Sequence, residues 1–82
     1  MVATKEDIRY WFLDGVCRKA THMIVVCDTY DYSDYPVYVL RSENIKDEIR
    51  KRDGVNMQKI MEVYNLSMDM ENQLSEFRAK NL

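Results

Sequence analysis

Glycine and proline are nearly missing from this chain: Gly15, Gly54 and Pro36 are the full set in 82 residues. So few breakers predict a small number of well-defined turns and a mainly helical body, and no repeat or low-complexity tract accompanies them. Cysteine is scarce too. Cys17 and Cys27 do not make the disulfide framework of a small secreted fold, and residues 1–7 contain no apolar signal core, so reduced thiols and a cytoplasmic location are expected. Long apolar runs are absent, since the longest, residues 23–27, is far too short to cross a bilayer. Nor is there an excess of positive charge: 12 Lys and Arg against 14 Asp and Glu give a net charge of −2. Without a positive field, generic binding to nucleic acid or to an anionic membrane is disfavoured. What remains is a chain 46% hydrophobic and 32% charged, rich enough in apolar side chains to fold as one domain. Its length sits near the limit for a single core, which gives a partner chain something to contribute.

Periodicity supplies the elements. Thr4 is placed to cap a first helix, with Glu6 and Asp7 where the helix dipole favours negative charge. Ile8, Trp11, Phe12, Val16 and Ala20 form its core face at a period near 3.6, and Tyr10, Leu13 and Cys17 widen it, predicting that more than one edge of the helix is covered. Gly15 weakens the helix by about 1 kcal/mol against alanine, and its missing side chain is suited to a close approach of the hairpin. Residues 22–28 read as a strand apolar on both faces, and residues 36–40 as a second strand opening on Pro36. Residues 29–35 between them are too long for a two-residue turn and predict a projecting loop. Ser42 is the expected cap of a largely solvated helix carrying Ile45 and Ile49, with Asp47–Lys51 and Glu48–Arg52 spaced as supporting ion pairs and Gly54 stopping it in a left-handed conformation. Asn56 is expected to cap a core helix bearing Met57, Ile60, Met61 and Tyr64. The stripe then changes phase at Leu66, Met70, Leu74 and Phe77, which predicts a break near residues 65–67, a new cap at Ser67 or Asp69, and a last helix over residues 70–80. The fold class is therefore α+β: a β-hairpin packed on amphipathic helices in the order α-β-β-α-α, with a further C-terminal helix. Residues 1–66 form the domain, and residues 67–82 either dock on it or meet a partner.

Catalytic and metal-binding patterns are weak. Asp28, Asp31 and Asp34 are oxygen donors around the hairpin, but their spacing is not that of an EF-hand, and a solvated acidic loop is expected instead of a metal. His22 is the sole histidine. Cys27, five residues on, falls on the opposite strand face, and Cys17 lacks an evident third orienting group, so no nucleophilic pair, enzyme activity or cofactor is predicted. No Gly-rich phosphate loop or nucleophile elbow occurs. The basic run Arg50, Lys51 and Arg52 is neutralised by Asp47, Glu48 and Asp53. Met57, Met61, Met68 and Met70 have the spacing of core filling, with an adaptable binding groove the alternative. The distinctive feature is the loop itself. Tyr30, Tyr32 and Tyr35 offer rigid contact area, and Asp31, Ser33 and Asp34 supply hydrogen bonds and charge, the mixture found in antibody paratopes. Tyr30, Asp31, Tyr32, Asp34 and Tyr35 are thus the candidate protein-binding residues. The competing expectation is that one or two of the tyrosines fold back over the hairpin with wet hydroxyls.

The blocks Ala20-Thr21-His22-Met23-Ile24-Val25-Val26-Cys27-Asp28-Thr29 and Asp34-Tyr35-Pro36-Val37-Tyr38-Val39 resemble a group of short uncharacterised proteins of tailed phages and prophage-bearing bacteria. Asp53-Gly54, Asn56-Met57-Gln58 and Met61-Glu62-Val63-Tyr64 extend the resemblance over residues 5–66. It brings no catalytic or ligand residues. It implies a small accessory protein in a host cell cytoplasm that inhibits or adapts a host protein, including components of antiviral defence. Two other readings stand beside this one. In the first, the tyrosines stack on a base and Arg9 or Arg41 meets phosphates, making a small-molecule binder or nucleotide sponge. In the second, the chain is a structural homo-oligomer. A lone hairpin has open edges, so homodimerisation through the hairpin edge or the C-terminal helix is a further expectation.

Overall fold

The computed structural model describes residues 3–76 and 78–82. Its elements follow in the order α1 (Lys5–Cys17), β1 (His22–Asp28), β2 (Ser33–Val39), α2 (Ile45–Arg52), β3 (Gln58–Asn65) and α3 (Met70–Leu74). The class is α+β with a β1–β2 hairpin, as the sequence predicts, but the sheet has three antiparallel strands in the order β2-β1-β3.

α1 begins at a capping box: the Thr4 hydroxyl accepts from the Asp7 N–H at 3.2 Å, and the Asp7 carboxylate accepts from the Thr4 N–H at 3.0 Å. Ile8, Phe12 and Gly15 are buried and Trp11 is half-buried. A Cβ on Gly15 would lie 2.8 Å from Leu66 Cδ1 and 3.1 Å from the Tyr38 ring, so the bare backbone is what lets the helix settle on the sheet. Val16, expected in the core, is exposed, as are Tyr10, Leu13 and Cys17. Contact with one sheet face consumes a single stripe of the helix, and no other described element covers the opposite side.

β1 is the centre of the molecule. Met23 and Val25 pack toward α1 with Ile8, Phe12 and Tyr64, while Ile24 and Val26 pack with Val39, Ile60, Val63 and the α2 residues Ile45 and Ile49. A strand covered on both faces must be apolar at every position, which is why residues 23–27 show no alternation. Phe12 meets Tyr64 edge-on with ring centroids 6.4 Å apart.

Residues 57–64 are not a helix. β3 pairs with β1 from Asn65↔His22 to Glu62↔Val25, after which Ile60, not Met61, opposes Val26. Met61 is the extra residue of a β-bulge. In a regular strand residues three apart lie on opposite faces. The bulge instead sends both Ile60 and Val63 to the α2 side, while Met61 and Tyr64 face α1. A bulged strand thereby reproduces the three- and four-residue spacing of an amphipathic helix. Asn56, expected as a helix cap, and Met57 adopt left-handed φ values of 51° and 61° and turn the chain into β3.

α2 starts at Asn44, whose Oδ1 accepts from the Lys46 and Asp47 N–H groups, not at Ser42, and ends at Asp53, whose extended backbone leaves the helix. Gly54 follows at φ 74° with its N–H donating to Gln58 O, in the turn toward β3 and not as the helix stop expected. α3 is capped by Asp69 and stops at Leu74, short of the helix expected to residue 80; Phe77 of the expected seam lies outside the described residues. Leu74, Gln73 and Ala79 are buried. The chain after α3 lies along β3, with the Val63 N–H donating to Ala79 O at 2.7 Å and the Asn81 N–H donating to Val63 O at 3.0 Å.

This docking closes one edge of the sheet. At Gln58 the N–H donates to Val55 O and the carbonyl accepts from Gly54; at Ile60 the N–H donates to Asp53 Oδ1 and the carbonyl accepts from Lys80 Nζ. Gln73 serves both main-chain groups of Asn65. The opposite edge, β2, carries Pro36 in mid-strand. Val63 turns its main-chain groups to the tail, so its partner Ile24 turns toward Val37, and alternation leaves Asp34, Pro36 and Tyr38 facing outward. A proline at the middle outward position removes the N–H that another strand would need.

Candidate functional site

β2 starts at Ser33, three residues before the strand expected from residue 36, so the connecting loop is only Thr29, Tyr30, Asp31 and Tyr32. Its backbone is pinned at several points. Asp28 Oδ1 accepts from the Tyr30 N–H at 2.8 Å, Asp31 Oδ1 accepts from the Ser33 N–H at 3.0 Å, and the Tyr32 N–H donates to Asp28 O at 2.7 Å. Tyr32 takes a left-handed φ of 59°. Thr29 donates to Met57 O through both its N–H and its hydroxyl, tying the loop to the start of β3. The acidic residues are therefore turn-formers. The backbone bond from Ser33 holds the Asp31 carboxyl below its ordinary range. Among the described residues there is no group of three or more side chains placed to hold a metal ion.

The five candidate contact residues divide. Tyr30 and Tyr32 are 78% and 68% exposed, and Asp31 between them is exposed. Asp34 instead accepts from the Ala3 N–H at 3.0 Å, anchoring the chain ahead of α1. Tyr35 folds back on the α2 side and its hydroxyl donates to Gln58 Oε1 at 3.1 Å. Sequence reasoning singled out no role for Tyr38, which joins β2 to α1. Its hydroxyl donates to Asp14 at 3.1 Å and the Arg18 guanidinium lies 5.2 Å from its ring centroid. Burial, with the Asp14 carboxylate, pushes its pKa up to about 12.

Other candidate chemistry is dispersed. Cys27 is buried at the far end of β1 from His22, and burial followed by Asp34 raises its thiol pKa. Cys17 lies exposed on α1. His22 Nδ1 is 3.0 Å from Thr21 Oγ1, and burial lowers the imidazole's pKa. Arg9, considered for phosphate, is held by Glu71 at 2.9 Å and by Glu6 at 2.6 Å. Arg41 is exposed beyond the end of β2 farthest from the loop. Arg50 pairs with Asp47, and Lys51 and Arg52 both pair with the buried Glu48. No helix among the described residues is long and apolar enough to cross a membrane. Comparisons of the chain with protein-family models, with curated proteins and with solved structures find no match.

Proposed function

We propose that the protein is a non-enzymatic recognition module whose hairpin tip, Tyr30, Asp31 and Tyr32, engages a host protein. The observation that supports this is the pairing of two exposed tyrosine rings with a loop whose backbone is fixed by Asp28, Asp31 and Thr29. A preformed loop spends little entropy on binding, and tyrosine offers large contact area with few rotors to freeze. Asp34 and Tyr35 belong to this reading as supports that hold the base of the hairpin. The resemblance to small phage proteins supplies the partner class, a bacterial protein, and the action, inhibition or adaptation of a host system such as an antiviral defence.

The test is affinity capture from a bacterial lysate followed by affinity measurement with the purified target. The Tyr30→Ala/Tyr32→Ala variant should bind at least about 100-fold more weakly, as expected for two central aromatic anchors, while still folding cooperatively. Tyr35→Phe, which removes only the bond to Gln58, should bind as the parent does. Full binding by the double variant would remove the tip from the interface.

A further inference from the structure

We infer that the outer face of α1 is a self-association surface, on which a second copy of the chain packs its own α1 antiparallel across a two-fold axis near Leu13. One side of α1 is spent on the sheet through Ile8, Phe12 and Gly15. The other side carries Tyr10, 71% exposed, Leu13, 55% exposed, and Cys17, also exposed. With Glu6 one turn before Tyr10, these positions are spaced four, three and four residues apart, a single stripe down the solvent side of the helix. Val16, exposed as well, flanks it.

The charges at the two ends of α1 select the occupant. Glu6 lies in the first turn, and Lys19 is exposed just beyond the C-terminal end of the helix. In an antiparallel pair each Glu6 comes to the Lys19 end of the other copy, twice over by symmetry, and the helix dipoles oppose. A parallel pair would set like charges together. Glu6 is free to exchange partners, because its contact with Arg9 is an exposed pair that contributes little. The routes through the hairpin edge and through the C-terminal helix are poorer: Pro36 blunts the edge, and the buried side of α3, with Gln73 and Leu74, is already docked on this chain. A helix of 13 residues is about 20 Å long, and pairing two would bury roughly 1,000 Å², the small end of specific interfaces. An interface of that size suits a concentration-dependent dimer, not an obligate one.

Sedimentation velocity on the full chain from about 5 to 500 μM should show a monomer giving way to a dimer. Leu13→Asp should remain monomeric with an unchanged circular dichroism spectrum, since the side chain it replaces is exposed. Lys19→Glu and Glu6→Lys should each weaken dimerisation about tenfold, both contacts turning repulsive. An equimolar mixture of those two variants should recover parental affinity, because both cross-contacts become attractive again; the weakening of each variant alone marks the antiparallel arrangement, since in a parallel pair the parent's own contacts are already repulsive. A parent chain that stays monomeric throughout, a Leu13→Asp variant that dimerises equally well, or a mixture that fails to recover would each overturn the inference.

Discussion

Gln73 is 1% exposed at the end of α3, and its amide does for β3 what a neighbouring strand would do. Oε1 accepts from the Asn65 N–H at 2.8 Å, while Nε2 donates to Asn65 O at 2.9 Å and lies 3.2 Å from Asp69 O. Asn81 Nδ2 donates to the same Oε1 at 3.0 Å. Leucine would match the volume but leave two main-chain groups of Asn65 without partners. At 1–3 kcal/mol per orphaned group, Gln73→Leu should destabilise the fold by about 3 kcal/mol in urea unfolding. A loss below about 1 kcal/mol would mean that water takes over both bonds. Nothing in the sequence marked this residue, because a glutamine in a short polar helix looks like surface. The tip tyrosines were legible for the opposite reason: aromatic side chains spaced by Asp and Ser stand out against any helical or strand period. What the pattern left unresolved was their division, since the fate of Tyr35 depends on Gln58, twenty-three residues away.

At the level of elements, local signals carried most of the fold. Thr4 with Asp7 defines the start of α1, and the β-branched block at residues 23–26 defines β1, each because the determinant lies within a few residues. β3 escaped because its spacing comes from a bulge, which only the register against β1 reveals. Its outer edge then depends on a distant segment, where Ala79 is buried and Ala79 O and the Asn81 N–H take both main-chain groups of Val63. Deleting residues 79–82 should uncover Val63 and the carbonyl of Ile60, opening the middle of the β3 edge, which has no proline to blunt it. An exposed edge without proline is a template for other strands. The truncated chain should therefore melt lower and form thioflavin-positive or high-mass species on concentration, while the parent does not. A truncated chain as stable and as free of aggregation as the parent would show that β3 needs no cover.

For the molecule as a whole, ionisable groups bound a pH window of stability. On the alkaline side Tyr38, which ties the end of α1 to β2, titrates near 12 in the folded chain against an ordinary value of 10.0. Burial and the neighbouring Glu62 raise Tyr64 as well, and its ring packs against Phe12 of α1. Above about pH 10 the unfolded chain ionises these phenols and the folded chain resists, so stability declines through the interval up to about 12. On the acid side the signs reverse. His22 has its pKa lowered by burial from 6.5, so below that value the unfolded chain gains a proton that the folded chain disfavours. Glu71, held below its usual 4.5 by the bond from Arg9, withdraws its contribution as pH falls under that value. Melting temperature should therefore be level from about pH 7 to 8 and fall on both sides, the buried Cys27 thiol, raised from its ordinary 9.0, opening the alkaline slope before the phenols. Tyr38→Phe should flatten part of the alkaline slope at the cost of the Asp14 bond, and His22→Gln should remove the first part of the acid slope. Absorbance of ionised tyrosine near 295 nm, followed with the melting curves, separates two cases. A last fraction of phenolate that emerges only as the chain unfolds confirms the linkage, whereas complete ionisation of all six tyrosines near pH 10 in a still-folded chain would contradict the burial of Tyr38 and Tyr64.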